Sequence, residues 1–195
     1  MTACIIPAKG HSRRIPNKNK KDFLGMPIIC YSIRTAQQSG LFDSIIVSTD
    51  DDSPGGIAEL AQTAGCDVMM RGPEWCLDDV GPLDVARHCL ELMGQNAPEL
   101  VCVVYATAPL LMALDIVRGH QAVQAKGGVY AVSVGNDPFH DAGQFFWARS
   151  WALRERVPEF DRYTRLVPIP PERDIDINTP EDWARAEAMY EALHK

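Results

Sequence analysis

Four cations crowd one short stretch near the start of the chain: Lys9, Arg13, Arg14 and Lys18 follow directly on the apolar run at residues 3–6. Such a group in one loop suits a polyanion. Ala8, Gly10 and Ser12 lie at the head of the same loop, and small residues let backbone N–H groups turn toward phosphate oxygens. The chain carries a formal charge of -7, so a basic cluster here serves a local purpose. The expected ligand is a polyphosphate, with Lys9, Arg13 and Lys18 around its charge and Asn19 donating to ribose or phosphate oxygens. Arg14 is expected to face water.

A second group lies far along the chain. Alternation along an extended segment puts Asp174, Asp176 and Asn178 on one face. Oxygen ligands at that spacing suit Mg2+, which takes one or two carboxylates and completes its shell with water and phosphate. The same stretch reads as a helix start, with Asn178 or Thr179 as N-cap, Pro180 in the first turn, and Glu181 and Asp182 complementing the dipole. The run Asp50, Asp51, Asp52 either holds a second cation or caps the following helix.

Elements must bring these groups together. Strand-like and helix-like segments alternate, which favours a parallel sheet covered by helices. Strands are expected at residues 3–7, 44–49, 67–70, 100–105, 129–134, 143–148 and 166–169, and helices at 27–39, 56–64, 82–93, 113–126 and 180–193. Ligands in open α/β sheets sit beyond the carboxyl ends of strands. The loops after the first four strands hold Lys9 to Lys18, Asp50 to Asp52, Arg71 and Thr107, and so line one crevice.

The 195 residues suit a single domain spanning 1–195. No apolar run approaches the ~20 residues of a membrane helix, and the N-terminus lacks a signal-peptide pattern. A pI near 5.2 argues against nucleic acid as the main partner. The six cysteines form no metal-binding or Cys-x-x-Cys spacing and read as free thiols in a reducing cytoplasm.

The basic loop resembles the signature of nucleotide-sugar cytidylyltransferases that activate nine-carbon acidic sugars. Pro7-Ala8, Ser12, Ile15-Pro16 and Lys18-Asn19 match, with Lys9 for the usual Arg and Arg13 for the usual Lys. Ser48-Thr49-Asp50, Arg71 with Pro73, Glu74 and Asp78, Thr107-Ala108-Pro109, and Asp176-Ile177-Asn178-Thr179-Pro180-Glu181-Asp182-Trp183 continue the likeness in order. The segment His140-Asp141-Ala142-Gly143-Gln144-Phe145-Phe146-Trp147 is similar to that of pseudaminic acid cytidylyltransferases rather than to sialic acid enzymes.

The resemblance implies a three-layer, Rossmann-like α/β sandwich of the nucleotide-diphosphosugar transferase type. It implies CTP and an acidic sugar as substrates, CMP-sugar and pyrophosphate as products, and Arg71 against the nucleotide. His140, Asp141 and Gln144 would face the sugar, while the aromatic trio after them packs in the core. Two alternatives stay open: a non-catalytic nucleotide-binding module, and an enzyme for a sialic, legionaminic or Kdo-type acid. No side chain stands out as general base; Asp141 and a metal-lowered hydroxyl pKa are both open. One departure matters. Relatives carry several tens of residues where this chain passes from Val134 to His140 through residues 135–139. That region forms their dimerising arm, so its shortening argues against the homodimer and weakens the expected sugar pocket.

Overall fold

The computed structural model describes residues 1–136 and 141–195. In chain order the elements are β1 (Thr2–Pro7), β2 (Asp22–Phe23), β3 (Met26–Pro27), α1 (Ile28–Ser39), β4 (Ser44–Thr49), α2 (Ile57–Thr63), β5 (Asp67–Met70), α3 (Pro82–Met93), β6 (Leu100–Val104), α4 (Ala113–Gln124), β7 (Tyr130–Val134), β8 (Asp141–Arg149), α5 (Ser150–Arg154), β9 (Thr164–Pro168) and α6 (Pro180–Leu193). Seven strands form one sheet in the order β5-β4-β1-β6-β8-β7-β9. β1 pairs in parallel with β4 and β6, and all of β6 is buried, as its unbroken apolar sequence requires.

The sheet departs from the all-parallel expectation at β8, which is antiparallel to both β6 and β7. The cause is the short connection. A parallel return needs a crossover of about a dozen residues or more, and the step from Val134 to Asp141 is too short for one. A second departure concerns residues 174–178. Burial alternates there, with Ile175 and Ile177 inside, but the segment joins no sheet.

Helices cover both faces of the sheet. Ile29 and Ile33 of α1, Ile57 of α2, and Ile116 and Val123 of α4 close one core with Ile6, Val104 and Trp147. Val85 and Leu90 of α3 and Leu153 of α5 close the other with Ile5, Val103 and Phe146. A third, smaller core joins Ile15, Phe23, Leu110, Ile175, Ile177 and Trp183. It fastens the basic loop, the acidic segment and α6 to one another. Burial of Ile175 and Ile177, roughly 1.5–3 kcal/mol each, holds the acidic segment in place without strand pairing.

The carboxyl ends of β1, β4, β5, β6, β7 and β9 share one edge of the sheet, and antiparallel β8 begins there. The loops that open on this edge carry the groups singled out above. None of the described helices is long and apolar enough to cross a membrane.

Candidate active site

Lys9, Ser12, Arg13, Arg14, Ile15, Lys18 and Asp78 line a cleft of about 380 Å³ just past β1. The backbone is held from below. Ala8 is buried and its N–H donates to the Ser48 carbonyl at 2.9 Å. The Gly10 N–H donates to Asp50 Oδ1 at 2.7 Å, and a Cβ on Gly10 would lie 2.8 Å from Asp51 Cβ, so only glycine lets the loop pass. Asn19 is buried, and its amide donates to the Lys9 carbonyl at 2.9 Å. Asn19 thus ties the two ends of the loop together, with its amide turned inward.

The acidic run after β4 is scaffolding of the same kind. Lys20 Nζ sits 2.7 Å from Asp51 Oδ2, which also accepts from the Ile57 N–H at 3.2 Å and so caps α2. Burial alone would raise the Asp51 pKa, but hydrogen bonds from Lys20, Ser53 and Ile57 outweigh it and hold the carboxyl at about 2.

Lys18 links the cleft to the acidic segment. Its Nζ donates to the Ile177 carbonyl at 2.7 Å. Burial lowers its pKa, and the carboxylate of Asp176 pushes back in the other direction. Asp176 is exposed, accepts from the Asn178 amide at 2.5 Å, and packs on Gly143, where a Cβ would come within 2.9 Å of its Cγ. Gly143 has φ +68, so this contact needs glycine on two counts. Asp176 and Asn178 therefore come together beside Lys18.

Asp174 is engaged elsewhere: its Oδ2 accepts from the Asn136 N–H at 3.1 Å, and its carboxylate fills the space beside Gly135. No three His, Cys, Asp or Glu side chains form a metal-holding group among the described residues. The exposed carboxylate of Asp176, oriented by the Asn178 amide N–H, still fits a magnesium site whose remaining ligands are phosphate and water. The helix start is occupied too. Thr179, not Asn178, is the N-cap of α6, in a reciprocal pair with Asp182.

The segment expected to face a sugar is turned inward. His140 lies outside the described residues. Asp141 Oδ1 accepts from Ser133 Oγ at 3.1 Å and the Gly143 N–H at 3.0 Å, while Oδ2 accepts from the Tyr105 hydroxyl. Burial raises the Asp141 pKa, and those donors oppose the shift. Gln144 is buried, donating to the Arg173 carbonyl at 2.6 Å, and its Oε1 meets no partner among the described residues. Phe145, Phe146 and Trp147 are fully buried, as core packing requires. At the ends of β5 and β6, Arg71 and Thr107 are both buried, and Arg71 Nε likewise meets no partner. That buried guanidinium N–H is left free to donate.

Two carboxylates matter more here than their sequence context suggests. Asp78 pairs with both Lys9 and Arg13, at 2.9 and 2.8 Å. Glu159 is pushed up to about 7 by burial, with the Asp141 carboxylate adding to the shift. Neither contact carries a local sequence signal, because the partners lie far apart in the chain.

The family model for cytidylyltransferases matches residues 3–194. A pseudaminic acid cytidylyltransferase of Campylobacter jejuni (strain 81-176) is 31% identical over 98% of this chain and 97% of its own length. That alignment runs over 229 positions, more than the 195 residues of this chain, so the relative has residues without a counterpart here. Among solved structures, CMP:2-keto-3-deoxy-manno-octonic acid synthetase complexed with CTP aligns with a TM-score of 0.75 at 15% identity, covering 98% of this chain and 99% of that one. A manganese complex of Rv0371C from Mycobacterium tuberculosis aligns at 0.65 and 18% identity, over 96% and 97%.

Proposed function

The chain belongs to the cytidylyltransferase family, and from that premise we propose that it couples CTP to pseudaminic acid, giving CMP-pseudaminic acid and pyrophosphate. The observation that carries the assignment of the site is the cleft in which Lys9, Arg13 and Lys18 converge within reach of Asp176. Nucleotidyl transfer asks little covalent chemistry of the protein. It asks for cations around a leaving pyrophosphate and for an aligned nucleophile. Lys9, Arg13 and Lys18 bind the triphosphate, with the backbone around Ser12 beside them and Gly10 holding the turn through its bond to Asp50. Arg71 and Thr107 lie at the nucleotide end. The anomeric oxygen of the sugar attacks the α-phosphorus in line; the new O–P bond forms as the bond to pyrophosphate breaks, and the three cations stabilise the charge that develops on the departing group. Asp176, with Asn178 beside it, would hold Mg2+, which supplies further neutralisation of phosphate charge when bound. The Asp141 latch shapes the wall next to the sugar by fixing Tyr105 and Gly143.

A pyrophosphate-release assay crossing four nucleotides with several acidic sugars, with and without Mg2+, tests this reading. The expected result is activity with CTP and pseudaminic acid, dependent on the metal. Lys18→Ala should lower turnover by about a hundredfold or more, and Lys126→Ala on the distal side should leave it near wild type. Equal losses from the two changes would contradict the assignment. CTP binding without pyrophosphate release from any sugar would mark a binding module instead.

A further inference from the structure

Asp78 stands among the cations of the cleft, on the loop between β5 and α3. Its Oδ1 lies 2.9 Å from Lys9 Nζ and its Oδ2 lies 2.8 Å from Arg13 Nη1. One carboxylate thus engages two cations through its two oxygens, much as two phosphate oxygens would. Arg14 adds its attraction from nearby. The fold does not depend on this contact. Asp78 is half exposed, and the start of its loop is anchored separately by Trp75, which stacks on His88 of α3 at 4.2 Å. Glu74 and Asp79 lie on the same loop, which therefore brings a negative charge to a positive one.

We propose that Asp78 is a built-in competitor for the phosphate-binding cations: it holds Lys9 and Arg13 before nucleotide arrives, yields them to the triphosphate, and reclaims them as pyrophosphate leaves. The proposal rests on Lys9 and Arg13 being triphosphate ligands. Exposed ion pairs are weak, so the exchange is easily driven by an anion of several charges. A single carboxylate cannot displace a bound triphosphate, but it weakens the cations' hold on either anion, and so eases the departure of pyrophosphate once the bond has broken. Asp78 is in this sense a positioning residue for product release rather than a group that touches the reacting atoms.

Calorimetric titration of CTP and of pyrophosphate into the full chain tests the idea, using wild type, Asp78→Asn, Asp78→Glu and Arg13→Ala. Asp78→Asn should bind both anions about three- to tenfold more tightly, and Asp78→Glu, which keeps the charge, should stay near wild type. Arg13→Ala should bind both more weakly, and adding Asp78→Asn to it should recover less than the same change gives in wild type. If Arg13→Ala weakens binding but Asp78→Asn leaves pyrophosphate affinity unchanged or lower, the competitor role is overturned while the phosphate cleft stands. If Arg13→Ala changes neither affinity, the cleft assignment fails and the proposal fails with it.

Discussion

Glu159 shows how a single side chain can be both invisible in sequence and consequential in the fold. It sits in an unpatterned loop after α5, yet its Oε1 is buried with no partner among the described residues, and burial pushes its pKa from 4.5 up to about 7. Below about pH 4.5 it is protonated in both folded and unfolded chains. Between there and about 7 the folded chain keeps a proton that the unfolded chain gives up. The contribution of the protonated group to stability is therefore intact below 4.5 and is lost as pH rises through 7. Glu159→Gln should stabilise the protein at pH 8 by roughly 1–3 kcal/mol and do little at pH 4.5, as read from urea denaturation at the two values. An equal shift at both would rule out the buried charge as cause. The contrast with Lys18 is instructive. Lys18 was legible because it lies in a run whose residue types already spell anion binding. Its bond to the Ile177 carbonyl and its proximity to Asp176 were not, since they join positions far apart in the chain. Asp141 and Gln144 misled for a related reason: hydrogen-bonding capacity is visible in sequence, but the internal partners that consume it are not.

Elements with a strong period are legible in the sequence; the two-residue strands β2 and β3 and the five-residue α5 are too short to carry one, and the remaining differences arise where two structures share one pattern. A strand buried on both faces looks the same whichever way it runs, so the antiparallel β8 left no trace in its own residues. The trace lay in the length of the connection before it. Residues 174–178 alternate like a strand because their isoleucines fill the small core beneath α6, which imposes the same period without a ladder. The pairing of α4 with the sheet is specified more tightly. At Gly119 a Cβ would lie 2.6 Å from Phe145 Cε2 and 2.7 Å from Trp147 Cδ1, both on fully buried rings, and Trp147 Nε1 donates to the Ile116 carbonyl one turn away at 2.9 Å. Gly119→Ala should cost about 1–3 kcal/mol through overpacking, seen as a lower urea midpoint. CTP affinity of the folded protein should not change, because no residue of α4 lines the basic cleft. Unaltered stability would mean that the helix can shift away at no cost.

At the scale of the whole molecule, a chain of net charge -7 gathers its phosphate-seeking cations at one edge of a single sheet and surrounds them with carboxylates that hold loops in place. The seven-strand architecture and the location of the crevice followed from the alternation of elements; the closing of that crevice by the third core did not, because it joins segments near opposite ends of the chain. The connection from β7 to β8 is short, and at this edge of the sheet Asp141 ties Tyr105 and Gly143 together. The function of this edge turns on where the triphosphate binds. The direct measurement is a crystal structure of the protein with CTP and Mg2+. It should place phosphate oxygens in hydrogen-bond contact with Lys9, Arg13 and Lys18, with the metal on Asp176. A triphosphate bound elsewhere, such as the groove beside Tyr31 and Arg34 on α1, would contradict it.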